Sequence, residues 1–136
     1  MSVRNGFISV SGGAAVRLDG EGSIVEGVQA GGGIIANGIV RNNTVFGDGT
    51  DADIGISATG VITGNYVSSI RNGDGIVAGA GSTVLGNTSI NNTGAGISAS
   101  CPANLIGNTA VGNGQNLVLN GKGCINKDNV APLQQQ

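Results

Sequence analysis

The sequence predicts an all-β solenoid, a tube of about five to six coils of 20–22 residues whose strands stack in parallel. Two recurring phrases and one compositional excess carry this expectation. Gly55-Ile56-Ser57-Ala58 returns as Gly75-Ile76-Val77-Ala78, as Gly96-Ile97-Ser98-Ala99 and, more loosely, as Asn116-Leu117-Val118-Leu119. Between these copies lie Ile62-Thr63-Gly64-Asn65, Val84-Leu85-Gly86-Asn87 and Leu105-Ile106-Gly107-Asn108. Glycine supplies 27 of 136 residues, far above its ~7% average usage, so the chain is built for many turns. With Phe7, Phe46 and Tyr66 as the only aromatics, the core must be narrow and made of Val, Ile, Leu and Ala.

In chain order, the pattern starts loosely. Phe7-Ile8-Ser9-Val10 and Ala15-Val16-Arg17-Leu18 read as strands around a Gly12-Gly13 turn. Ser23–Val28 matches the later Val84–Thr88 frame, with Gly27 expected where Asn stands later. Gly31-Gly32-Gly33 is the next turn, and Ile34-Ile35-Ala36 takes the place of the Gly-Ile strand.

From Gly38 the register is firm. Asn43, Asn65, Asn87, Asn108 and Asn129 form one column at spacings of 22, 22, 21 and 21. Three residues before them stand Val40, Ile62, Val84, Leu105 and Asn126; two after stand Val45, Val67, Ser89, Ala110 and Ala131. A second column holds Ile34, Ile56, Ile76, Ile97 and Leu117, with Ala36, Ala58, Ala78, Ala99 and Leu119 two positions on. Spacing of two within a run is the strand period, so these side chains share the inward face. No window keeps a helical period for long enough to form a helix. One coil buries only four or five small side chains at about 1–2 kcal/mol each. Fixing its residues costs on the order of 1 kcal/mol or more apiece, so only stacking can make the coil stable. The asparagine column is read as a structural ladder, each amide in a left-handed turn position bonding to the coils on either side.

The Gly-Ile-x-Ala, Ile/Val-x-Gly-Asn-Thr and Asn-x-x-Gly-x-Gly-Ile phrases resemble those of right-handed parallel β-helix repeat proteins, the pectin-lyase-like fold superfamily. They stand here as Gly96–Ala99, Leu105–Thr109 and Asn92–Ile97. The resemblance implies a right-handed single-stranded parallel β-helix over residues 1–131, with 132–136 a frayed C-terminal tail. It specifies the coil and not the activity, since such coils serve lyases, hydrolases, tail proteins and adhesins. Family members often carry an N-terminal cap and a secretion signal. The chain is therefore expected to be a short or N-terminally truncated member, extracytoplasmic if it belongs to a longer exported protein and cytoplasmic if Met1 is the native start.

Composition excludes several classes. Net charge is −2 and the six cationic residues are scattered, which argues against a nucleic-acid partner. No apolar run approaches the ~18–20 residues that span a bilayer. With no histidine there is no Ser-His-Asp or Cys-His pair. Asp48, Asp51 and Asp53, with Asp74 about one coil later, are candidate ligands for a hard cation such as Ca²⁺. Polysaccharide lyases of this fold use acid clusters with a basic residue, for which Arg71 is the nearest candidate. An ordinary solvated turn explains the same acids. Asp19, Glu21 and Glu26 read as turn and surface residues without a repeat partner.

Cys101 and Cys124 lie 23 apart, one coil plus two residues, which leaves open a disulfide between adjacent coils or two free thiols. Asn42, Asn87 and Asn91 head Asn-x-Ser/Thr triplets, which the Asn-Thr habit of the turns explains without glycosylation. Thr44, Thr88 and Thr109 align outward, interrupted by Tyr66 and Val130. The functional expectation is a non-enzymatic structural or binding module without a cofactor, forming a homo-oligomer through N-terminal coils around Phe7, Ile8 and Val10. The alternative is a carbohydrate-binding or degenerate lyase-like or hydrolase-like domain, for which only Tyr66 and Arg71 offer the usual sugar contacts.

Overall fold

A computed structural model of the protein describes residues 1–47 and 54–133, and among them no residue is helical. The strands are β1 Ser2–Arg41, β2 Thr44–Phe46, β3 Ile54–Thr63, β4 Tyr66–Ser68, β5 Asp74–Ala78 and β6 Thr83–Leu85. They continue as β7 Thr88–Ile90, β8 Ala95–Ser100, β9 Asn104–Ile106, β10 Thr109–Val111, β11 Gln115–Asn120 and β12 Ile125–Lys127. Each pairs in parallel with the strand one lap away, giving a parallel β-solenoid.

Three stacks of strands enclose the core. In the first, Ile34, Ile56, Ile76, Ile97 and Leu117 are successive partners. In the second, Val40, Ile62, Val84, Leu105 and Asn126 follow one another. The third sets Ala30, Val45, Val67, Ser89 and Ala110 in line. These are the inward columns that the repeat spacing predicts. Ile34, Ile56, Ile76 and Ile97 are wholly buried, each resting on its like, and each contributes roughly 1.5–3 kcal/mol of apolar burial.

The repeat makes about four turns, fewer than the five to six expected. The lap through β1 departs from the regular spacing. Its Gln29-Ala30-Gly31 run pairs with Thr44-Val45-Phe46, only 15 residues on, where later laps take 21 or 22. That lap is short because Gly31-Gly32-Gly33 passes from the third stack into the first with no connecting loop. All three glycines are buried, and a Cβ on Gly32 would meet the Val10 side chain at 3.0 Å and the Gly13 carbonyl at 3.3 Å. The start of β1 lies against this lap, the Ile24 N–H donating to the Met1 carbonyl at 3.0 Å. Its frame is shifted by one from the sequence expectation: Val28, not Gly27, occupies the ladder position, and Val25, not Ile24, is fully buried.

The left-handed turn position also differs. It belongs to the residue before each ladder asparagine: Gly64, Gly86 and Gly107 at φ +62 to +64, Asn42 at +55 and Asp128 at +56. This residue makes the bend, and the asparagine after it is thereby aimed into the core.

Candidate functional site

Asn43, Asn65, Asn87 and Asn108 are at most 2% exposed, and their side chains are spent on the laps around them. The Asn87 Oδ1 accepts from the Asn65 N–H at 3.0 Å and the Asn65 Nδ2 at 2.9 Å. Its Nδ2 donates to the Ile62 carbonyl at 2.8 Å and to the Asn108 Oδ1 at 3.0 Å. The same pattern runs from the Val28 N–H, which donates to the Asn43 Oδ1 at 2.9 Å, down to Asn129. A turn whose backbone groups would otherwise be orphaned in the core is satisfied by one amide per lap.

A second buried ladder was not anticipated from the sequence. The Ile70 N–H donates to the Asn92 Oδ1 at 3.0 Å, and the Asn92 N–H to the Asn113 Oδ1 at 3.0 Å. The Asn113 N–H then donates to the Asn116 Oδ1 at 3.1 Å, and the Asn116 Nδ2 donates to the Pro132 carbonyl at 2.7 Å. Ser89 joins it, donating from Oγ to the Gly96 carbonyl at 2.6 Å and accepting from the Asn92 Nδ2 at 3.0 Å. Pro132, expected to belong to a frayed tail, is therefore tied to the last lap. The 21-residue step from Asn92 to Asn113 was the available signal.

Cys101 and Cys124 form a disulfide, with Cα atoms 5.0 Å apart. It joins the turn after β8 to the turn before β12, and so couples the last lap to the one before it. The Cys101 N–H donates to the Asn120 carbonyl at 2.8 Å across the same pair of laps.

Of the candidate cation ligands, Asp48, Asp51 and Asp53 lie outside the described residues. Asp74 pairs with Ile54 in the ladder, and its Oδ1 accepts the Ala95 N–H at 2.6 Å. It borders a shallow trough of about 400 Å³ with Thr93, Ser98, Gln115 and Val118. Among the described residues no group of three or more His, Cys, Asp or Glu is placed to hold a metal ion. The Arg71 side chain is exposed, and its carbonyl accepts the Thr93 hydroxyl at 2.5 Å.

Glu26 has ion-pair partners one lap away on each side. Arg4 Nη1 reaches its Oε2 at 2.7 Å, and Arg41 Nη2 donates to the same oxygen at 3.2 Å. Arg41 Nε lies 3.1 Å from Oε1 as an ion pair but is not aligned for a hydrogen bond. Asp19 pairs with Arg17 at 3.1 Å, fully in solvent reach.

Outward side chains form the remaining surfaces. Thr44, Tyr66, Thr88 and Thr109 stand in one file with Val130 at its end, as the spacing predicted. Phe7 and Phe46 stack with ring centroids 6.5 Å apart, and Phe7 remains largely exposed. At the far end, Leu117, Leu119, Asn126, Ala131, Pro132 and Leu133 line a hollow of about 720 Å³. No helix among the described residues is long and apolar enough to cross a membrane.

No protein-family model matches the chain, and no curated protein or solved structure matches it either.

Proposed function

We propose that the chain is a non-enzymatic β-solenoid module of the pectin-lyase-like kind, structural or binding in role, that associates with copies of itself through its end laps. One observation carries this reading: the last lap presents core-type side chains at an unpaired edge. β11 and β12 pair on one side only among the described residues, with β8 and β9. Leu119 and Leu133 line the hollow beside them, and Leu119 is exposed although its column is buried in every lap above. An open parallel edge over an apolar layer is a template for one more lap. The start of β1, with Val3 and Ile8 packed against the core and Phe7 exposed, supplies a lap of the same kind in a second copy. Head-to-tail stacking keeps the strands parallel and adds a layer to the core.

The interior chemistry supports a structural role. Ser89, Asn92 and the ladder asparagines direct their polar atoms to the fold's own backbone. Sedimentation velocity over a range of protein concentrations tests the proposal. Mass should rise with concentration, and Leu119→Lys, which sets a charge on the terminal edge, should return the protein toward monomer. A clean monomer at every concentration, or an assembly indifferent to Leu119→Lys, contradicts it.

A further inference from the structure

The last lap is laddered along β11 and β12, and the weaker hold surrounds β12. This strand is laddered on one side, to β9, by the Ile125 N–H to the Ala103 carbonyl at 2.9 Å and the Gly107 N–H to the Lys127 carbonyl at 3.0 Å. Ile125, Asn126 and Lys127 are all exposed, so apolar burial does little to retain it. Downstream, Asn129 anchors the lap by donating to the Leu105 carbonyl at 2.8 Å and accepting the Asn108 N–H at 2.8 Å. Upstream, after the Asn120 carbonyl that accepts the Cys101 N–H, come the exposed turn Gly121-Lys122-Gly123, with both glycines at positive φ, and then the bond from Cys124 to Cys101. A short strand with one laddered edge and solvated side chains belongs to the part of a fold that opens first. The disulfide sits where that opening would start.

We propose that Cys101–Cys124 is a thiol-reducible latch on the last lap. Both cysteines are partly exposed, within reach of a small dithiol. A dithiol thiolate attacks one sulfur to give a mixed disulfide, and its second thiol then displaces the protein sulfur. The dithiol closes to its own disulfide, while Cys101 and Cys124 together take two electrons and two protons and become thiols. With the bond broken, Gly121–Lys127 opens locally and uncovers the outer edge of β9. The stacks above stay closed, because Ile56, Ile76 and Ile97 pack without reference to the bond. The latch acts within one molecule and does not rest on self-association.

Amide hydrogen exchange on the oxidised protein, and on the same protein after dithiothreitol, tests this. Reduction should speed exchange at Ile125 and Gly107 severalfold, because the opened segment is no longer tethered at Cys124. The Gly64 amide, which donates to the Leu85 carbonyl at 3.1 Å in the middle of the stack, should keep its rate. Cys124→Ser should show the reduced pattern without any dithiol. Unchanged exchange at Ile125 and Gly107 overturns the proposal. So does loss of protection along the whole chain, which would make the bond a staple for the entire fold.

Discussion

Replacing Asn87 with alanine removes one rung from the middle of the first ladder, and its effect can be worked out bond by bond. Four hydrogen bonds vanish: those to Asn87 Oδ1 from the Asn65 N–H and Nδ2, and those from Asn87 Nδ2 to the Ile62 carbonyl and the Asn108 Oδ1. The Asn65 Nδ2 keeps its bond to the Val40 carbonyl at 2.9 Å, and the Asn108 Oδ1 still accepts the backbone N–H of residue 87 at 3.0 Å. One group loses its acceptor, the Asn65 N–H of a buried residue, while the Ile62 carbonyl keeps its place in the ladder of Ile62 to Val84. An unsatisfied buried N–H costs about 1–3 kcal/mol, which sets the expected loss. That is a measurable part of the ~5–15 kcal/mol that holds an ordinary domain together. Urea denaturation followed by circular dichroism measures it. Asn104→Ala, at an exposed position with no side-chain hydrogen bond of its own in the ladders, is the matched control and should stay within about 0.5 kcal/mol of the parent. The reasoning is refuted if Asn87→Ala and Asn104→Ala unfold at the same urea concentration.

Three other outcomes follow from the same packing. Asn113→Ala should destabilise by about 1–3 kcal/mol in the same assay, since the Asn92 N–H loses its acceptor. Gly75→Ala should lower the thermal midpoint clearly, because its new Cβ would collide with the Ser89 Oγ and stand 2.7 Å from the Gly96 carbonyl. Ile76→Ala empties a fully buried site between Ile56 and Ile97 and should cost about 2–5 kcal/mol in urea, more than Ile125→Ala on the exposed terminal strand.

The inward columns were legible because a coil repeats its chemistry at a constant interval. Ile56, Ile76 and Ile97 announce their alignment through steps of 20 and 21 residues, and the ladder pairs each as expected. Where the interval changes, the sequence loses that guide. The 15-residue step in β1 has no equal elsewhere, so Gly27 was assigned the ladder place that Val28 holds. The second ladder is short and uneven: Ile70 stands at its head, and Asn113 hands on to Asn116 only three residues later. A file of two asparagines is too brief to separate from the Asn-rich turns around it. The ion pairs of Glu26 are hidden for a similar reason, because Arg4 and Arg41 lie 22 and 15 residues away, on either side of the irregular lap.

Methyl NOEs among the core isoleucines test the stacked tube most directly. Adjacent laps lie ~4.8 Å apart, so contacts between neighbours should be strong and those across two laps faint. The fold predicts NOEs linking Ile34 to Ile56, Ile56 to Ile76 and Ile76 to Ile97, with none from Ile34 to Ile97. Missing neighbour contacts, or helical amide-to-amide NOEs through these segments, would contradict it.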